Sequence, residues 1–186
     1  MYILGLDPGT VNFAYSVIDY DELGGTYEVV KCGLIGSPLP KVENEIQEGL
    51  TKFMGSMLSV FPSNAPQIYM ERYVNRGSKV SALETVNMMI GAMYKCNPYL
   101  FSSAVWKNHI NKRLKPTQHN LKDMYPRCSV TPHELDATLI GLYGIIRCEK
   151  AKVLQSTAEF NECMRQVERA SKSKKRNTRN QELIVA

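Results

Sequence analysis

The chain has 186 residues, 44% hydrophobic and 22% charged, which suits one domain large enough to bury a sizeable core. No apolar run reaches the ~18 residues of a membrane span, and the opening MYILGLDPG has neither a basic n-region nor a small-residue cleavage site, which argues against a secretory signal. The net charge of +5 is unevenly spread: residues 1–71 sum to −6, whereas residues 72–127 carry ten Lys/Arg against two acids, a phosphate-binding surface kept apart from an acidic region.

The first 36 residues read as three strands. YILGL is a short apolar run, TVNFAYSVIDY is rich in β-branched and aromatic residues, DELGG supplies turn signals, and TYEVVKCGLIG returns as a strand. Joined this tightly, they predict an antiparallel meander. Ile46, Leu50, Phe53, Met54, Met57, Leu58 and Phe61 recur at three and four residues and predict a helix ended by FPSNAP. QIYME reads as a short buried strand ending in Glu71. Leu83, Val86, Ile90 and Met93 predict a helix from about Lys79 to Lys95.

YLFSS is a fifth strand, followed by AVWKNHINKRLKPTQHNLKDMYPR, read as short helices broken at Pro116 and Pro126. The last helix starts in TPHELDATLIG and runs to about Cys148. Beyond it, RASKSKKRNTRNQ has almost no apolar content. The order β-β-β-α-β-α-β-α describes an α/β layer fold with a five-stranded mixed sheet flanked by helices. Residues 1–150 form one domain, and residues 151–186 a basic extension, partly helical or disordered. The five cysteines are odd in number and lack a C-x-x-C pair, which argues against a disulfide framework or structural zinc and for a reducing cytoplasm.

Asp7 ends the first strand, and Pro8 and Gly9 turn the chain directly after it. Glu71 ends its own strand in the same way. Taken singly, Asp7 reads as a turn residue and Glu71 as a strand-end charge reaching solvent; the two gain interest only if their strands are neighbours. The start of the last helix is more specific. Thr131 is a good N-cap, Pro132 suits the first helical position, and Glu134 lies three residues after the cap, which makes a capping box. His133 and Asp136 are three apart and share a face, whereas Leu135, Leu139, Leu142 and Ile146 form a different, core-facing stripe. Asp7, Glu71 and Asp136, with His133 beside them, are a donor set for hard divalent cations. Two Mg²⁺ ions about 3.5–4 Å apart can align an attacking water and a leaving oxygen across a phosphodiester.

YILGLDPGTVNFAYSVID, IYMERY and HELDATLIG, in that order, resemble the RuvC-like Holliday junction resolvases of the RNase H-like superfamily, over roughly residues 1–148. The resemblance implies an RNase H-like fold and a two-metal nuclease site, with Asp7, Glu71, His133 and Asp136 as its ligands and catalytic groups, Mg²⁺ as the ion and Mn²⁺ as a substitute. It implies cleavage of four-way and other branched DNA with a 5′-phosphate product. It also implies a homodimer formed partly through the second helix, where Gly91 and Ala92 would allow close packing. His133 departs from the aspartate that many members carry. Tyr73 is the nearest counterpart of an aromatic that stacks on junction bases.

Arg72, Arg76 and Lys79 follow the glutamate, and Lys107, Lys112, Arg113 and Lys115 precede the last helix, so both groups are expected on DNA phosphates. Trp106 and His109 are interleaved with the second group, and His109 reads as a packing or surface residue. The small size and basic tail suit a phage or viral member, acting in the host cytoplasm. Three alternatives stand beside this reading. One is another RNase H-like nuclease, acting on RNA–DNA hybrids or as an exonuclease. Another is a junction binder without catalysis. The third is an actin-like ATPase, suggested by LDPGT but lacking a second phosphate loop.

Overall fold

The computed structural model describes residues 1–9, 12–36, 46–61, 67–72, 79–113, 131–149 and 155–156, with the backbone alone at 46, 79–83, 111–113 and 155–156. Strands β1 (Tyr2–Asp7), β2 (Phe13–Asp21) and β3 (Thr26–Ile35) form the expected antiparallel meander. Helix α1 (Ile46–Val60) leads to strand β4 (Gln67–Arg72), which lies parallel to β1. Helix α2 (Lys79–Tyr94) leads to strand β5 (Tyr99–Ser102), parallel to β4, and helix α3 (Ser103–Arg113) follows at once. Helix α4 (Pro132–Cys148) closes the domain. The sheet order is β5-β4-β1-β2-β3-β6. The sixth strand, Gln155–Ser156, was not expected. It pairs with the start of β3 and lies within the polar stretch read as an extension, where no hydrophobic pattern marks it.

Side chains alternate across a strand, and that alternation builds two cores. Leu4 and Leu6 of β1, with Ile68 and Met70 of β4, face α1 and α2 and pack with Phe53, Met57, Val86 and Ile90. Ile3 of β1 and Tyr69 of β4 face α3 and α4 and pack with Trp106, Ile110, Ile140 and Tyr143. Asp7 and Glu71 fall on the same parity as Ile3 and Tyr69, so both acids belong to the α4 face. A bulge in β3 opposite Val17/Ile18 reverses the parity of that strand. Tyr27 and Val29 therefore face α4, whereas Ile35 joins the other core.

Helix α4 lies unusually close to the sheet. A β-carbon on Gly5 would stand 2.1 Å from the carbonyl oxygen of Ala137 and 2.9 Å from the amide nitrogen of Gly141. One on Gly144 would stand 2.2 Å from the Tyr69 ring. Glycine is needed at these positions for space. The contact is fastened by polar groups as well. The Thr138 hydroxyl lies 2.9 Å from both the Ser16 hydroxyl and the Glu134 carbonyl. At the far end of the helix the Tyr69 hydroxyl donates to Glu149 at 2.8 Å, where burial and the acid together hold the phenol well above its usual range.

Gly91 has a use within the chain itself, beside the close helix packing expected of it. Lys95 closes α2 at φ 52°, with the Cys96 amide donating to the Gly91 carbonyl at 3.0 Å, and a β-carbon on Gly91 would stand 2.9 Å from the Cys96 carbonyl oxygen. Its role is to admit the turn into β5.

Gly5→Ala sets a methyl against backbone that cannot turn away, so it should cost about 3 kcal/mol or more. That corresponds to a fall in Tm of about 6–12 °C for a chain of this size, measured by thermal denaturation. Gly36→Ala, where nothing lies within 4 Å of the added carbon, should melt close to the parent.

Candidate active site

Pairing of Leu6 with Met70 in the parallel β1–β4 ladder puts Asp7 and Glu71 one step further on, side by side at the carboxyl ends of their strands. The first turn of α4 supplies the other two groups. Its capping box is complete: the Thr131 amide donates to Glu134 Oε2 at 2.5 Å, and the Glu134 amide donates to Thr131 Oγ1 at 3.3 Å. Glu134 is thereby buried and occupied. The box fixes the turn, and the turn aims His133 and Asp136 at the strand ends. His133 Nδ1 lies 3.0 Å from Asp7 Oδ2.

Helix α3 adds two residues that were not expected among the acids: Trp106, read only as interleaved with the basic group, and Lys107, read as a DNA contact. Trp106 is 1% exposed and donates its indole N–H to Glu71 Oε2 at 2.8 Å. Lys107 reaches the other way, with its Nζ 3.1 Å from Asp136 Oδ2 and 4.9 Å from the Trp106 ring centre. Each acid therefore has a partner of its own: Asp7 has His133, Glu71 has Trp106, and Asp136 has Lys107. The one available signal for Trp106 was its spacing of four from Ile110, which marks a core stripe on an otherwise basic helix. His109 packs its ring edgewise on Tyr143, as a packing histidine should.

Burial pushes the Asp7 carboxyl up, and the charge of Asp136 adds to that while the His133 bond opposes it. Burial likewise raises Glu71, with the Trp106 bond opposing and Asp7 adding to the rise. Burial works against the Lys107 ammonium, but its bond to Asp136 and the charges of Glu71 and Asp7 outweigh that and hold it above its usual range. The cluster is short of positive charge, and Lys107 is the cation drawn into it.

Among the described residues no three His, Cys, Asp or Glu side chains converge closely enough to enclose an ion. The donor chemistry still fits hard divalent cations, since three carboxylates and an imidazole face one another across the strand ends. Lys107 and His133 are each 48% exposed and free to turn outward, so the ammonium is a stand-in for the charge that an ion would bring.

Of the residues expected on DNA, Lys107 joins the acids. Arg72 is exposed at the end of β4, on the sheet face opposite Glu71 by strand alternation. Lys79 opens α2, and Lys112 and Arg113 end α3, where the backbone alone is described. Tyr73, Arg76 and Lys115 lie outside the described residues.

A carboxyl raised by folding favours the native state while protonated and weakens it as pH climbs through its folded value. Ion-free protein should therefore lose stability between the ordinary carboxylate range, about pH 4, and neutrality. Asp7→Asn should melt higher than the parent at neutral pH, with the gain shrinking as pH falls toward that range. Adding Mg²⁺ should raise the Tm of the parent and leave the variant unmoved. Calorimetry across pH, with and without the ion, checks both.

No family model and no curated protein matches the sequence. The fold is similar to that of Thermus thermophilus RuvC in complex with Holliday junction substrate, with a TM-score of 0.61 and 14% identity over 81% of this chain and 96% of that one. A second Thermus thermophilus RuvC structure gives a TM-score of 0.62 and 13% identity over the same shares. At this identity the likeness speaks for architecture: the chain has the RNase H-like fold seen in RuvC, a mixed sheet of five principal strands with helices on both faces.

Proposed function

We propose that this chain is a metal-dependent, structure-selective DNA endonuclease that resolves four-way (Holliday) junctions and other branched DNA by two-metal phosphodiester hydrolysis. The observation that carries the reading is that Asp7 and Glu71 end paired parallel strands while the first turn of α4, which also bears Asp136, sets His133 against Asp7. The fold likeness to a protein solved with a Holliday junction supports the choice of substrate.

Asp7, Glu71, His133 and Asp136 are the groups that would hold Mg²⁺, with Mn²⁺ as a substitute. When bound, such ions supply Lewis-acid charge at phosphoryl oxygens and lower the pKa of a coordinated water. His133, with Nδ1 against Asp7, would also hold or pass a proton at that nitrogen. Lys107 leaves Asp136 and turns its ammonium to a phosphate oxygen. Arg72, Tyr73, Arg76, Lys79, Lys112, Arg113 and Lys115 extend the contact to the flanking strands. Binding should weaken steeply with salt, since the Lys and Arg side chains among them displace counterions from the phosphates.

The protein acts as a homodimer, which matches a two-fold symmetric junction. Met88, 68% exposed on α2, and Tyr99 and Leu100 on the neighbouring edge strand give that interface an apolar surface. The setting is the cytoplasm, that of the host for a viral member. No helix among the described residues is long and apolar enough to cross a membrane.

The test is cleavage of an end-labelled, immobile four-way junction in Mg²⁺ and in Mn²⁺, beside linear duplex and an RNA–DNA hybrid. Paired, symmetric nicks near the crossover are expected, reduced at least about a hundredfold by Asp7→Asn. Preferential cutting of the hybrid would overturn the substrate and keep the nuclease. Tight junction binding with no cut in either ion would overturn the nuclease.

A further inference from the structure

The three acids of the site are held in different ways. The partners of Asp7 and Asp136 are half-exposed side chains, His133 and Lys107, free to rotate into solvent. The partner of Glu71 has no such freedom. Trp106 is 1% exposed and sits in the same core cluster as Tyr69, Ile110 and Tyr143, so its indole cannot turn without opening the core. Its N–H reaches Glu71 Oε2 at 2.8 Å.

A buried indole needs an acceptor, and a backbone carbonyl would serve it. Here the acceptor is instead a half-buried carboxylate next to Asp7, and a phenylalanine would have filled the same space with no polar group to satisfy. The same ring carries the Lys107 ammonium on its face, 4.9 Å from its centre. One rigid side chain therefore fixes a carboxylate on one side and steers a cation on the other.

Resting on the nuclease reading above, we propose that Trp106 is the positioning residue for Glu71. Its indole would keep its bond to Oε2 with an ion present, which would fix the carboxylate plane and leave Oε1 as the unengaged donor of Glu71. The bonds of His133 and Lys107 to their acids would open under the same conditions, and that of Trp106 would not. Trp106 touches neither phosphate nor ion; it acts through the glutamate.

Trp106 is the chain's single tryptophan, so the native full-length protein labelled with ¹⁵N-indole shows one side-chain N–H signal. That signal should lie downfield of a free indole and exchange slowly, and it should keep both properties in saturating Mg²⁺. Glu71→Gln should move it upfield. In parallel, Mn²⁺ binding is followed by electron paramagnetic resonance without DNA. Trp106→Phe should weaken it about tenfold, and in a Glu71→Gln background the same change should cost nothing further.

The proposal is overturned if Glu71→Gln leaves the indole signal in place. It is equally overturned if Trp106→Phe weakens Mn²⁺ binding by the same factor in both backgrounds, as a general loosening of the core would. The indole measurement needs no tryptophan variant to fold. Junction cutting is read separately, so a coupled indole in a chain that cuts no branched DNA sinks the nuclease and spares the positioning role. Cutting without the coupling does the reverse.

Discussion

At Gly5 the carbonyl of Ala137 stands where a side chain would begin, and the rest of the candidate site is arranged around that contact. Helix α4 can lie against β1 only because Gly5 and Gly141 leave backbone facing backbone. Ala137 follows Asp136 directly, so the atom pressed onto the strand is one residue from a site acid. Asp7 is two residues beyond Gly5 on the same face of the strand. The spacing of the acids is therefore set by main-chain packing, which is stiffer than any arrangement of long side chains. The capping box at one end of the helix and the Tyr69–Glu149 bond at the other prevent it from rotating on that pivot.

Electrostatics then works against packing. Burial disfavours the ionised forms of Asp7 and Glu71; the charge of Asp136 adds to both, and that of Asp7 adds to the rise at Glu71. The protein offsets part of that cost with three different partners, an imidazole, an indole and an ammonium. Two of these are removable and one is built into the core. A site so arranged keeps a deficit of positive charge that an ion would relieve.

Much of this was legible in the sequence, for identifiable reasons. The meander, the strand ending in Glu71 and the last helix carry strong periodicity bounded by turn residues. The box at Thr131 and Glu134 is a short-range signal, with both partners inside four residues. That His133 and Asp136 share a polar face follows from the helical repeat alone. Trp106 was not legible, because its role depends on α3 folding back beside β4, a contact with no local signature. Leu58 was read as part of the apolar stripe of α1 but is 55% exposed, since the stripe is broader than the surface it covers. The two-residue strand at Gln155 was beyond reach, since it borrows all its hydrogen bonding from β3.

Residues 7, 71 and 133–136 are far apart along the chain, and the proposed nuclease needs all of them around the same divalent ions. Localised cleavage by Fe²⁺ tests it directly: iron is bound in place of Mg²⁺, radicals are generated with ascorbate and oxygen, and the protein fragments are mapped. Breaks are expected at all three segments at once, suppressed together by excess Mg²⁺ and together by Asp7→Asn. Breaks at one segment only, or a pattern indifferent to Mg²⁺, would contradict it.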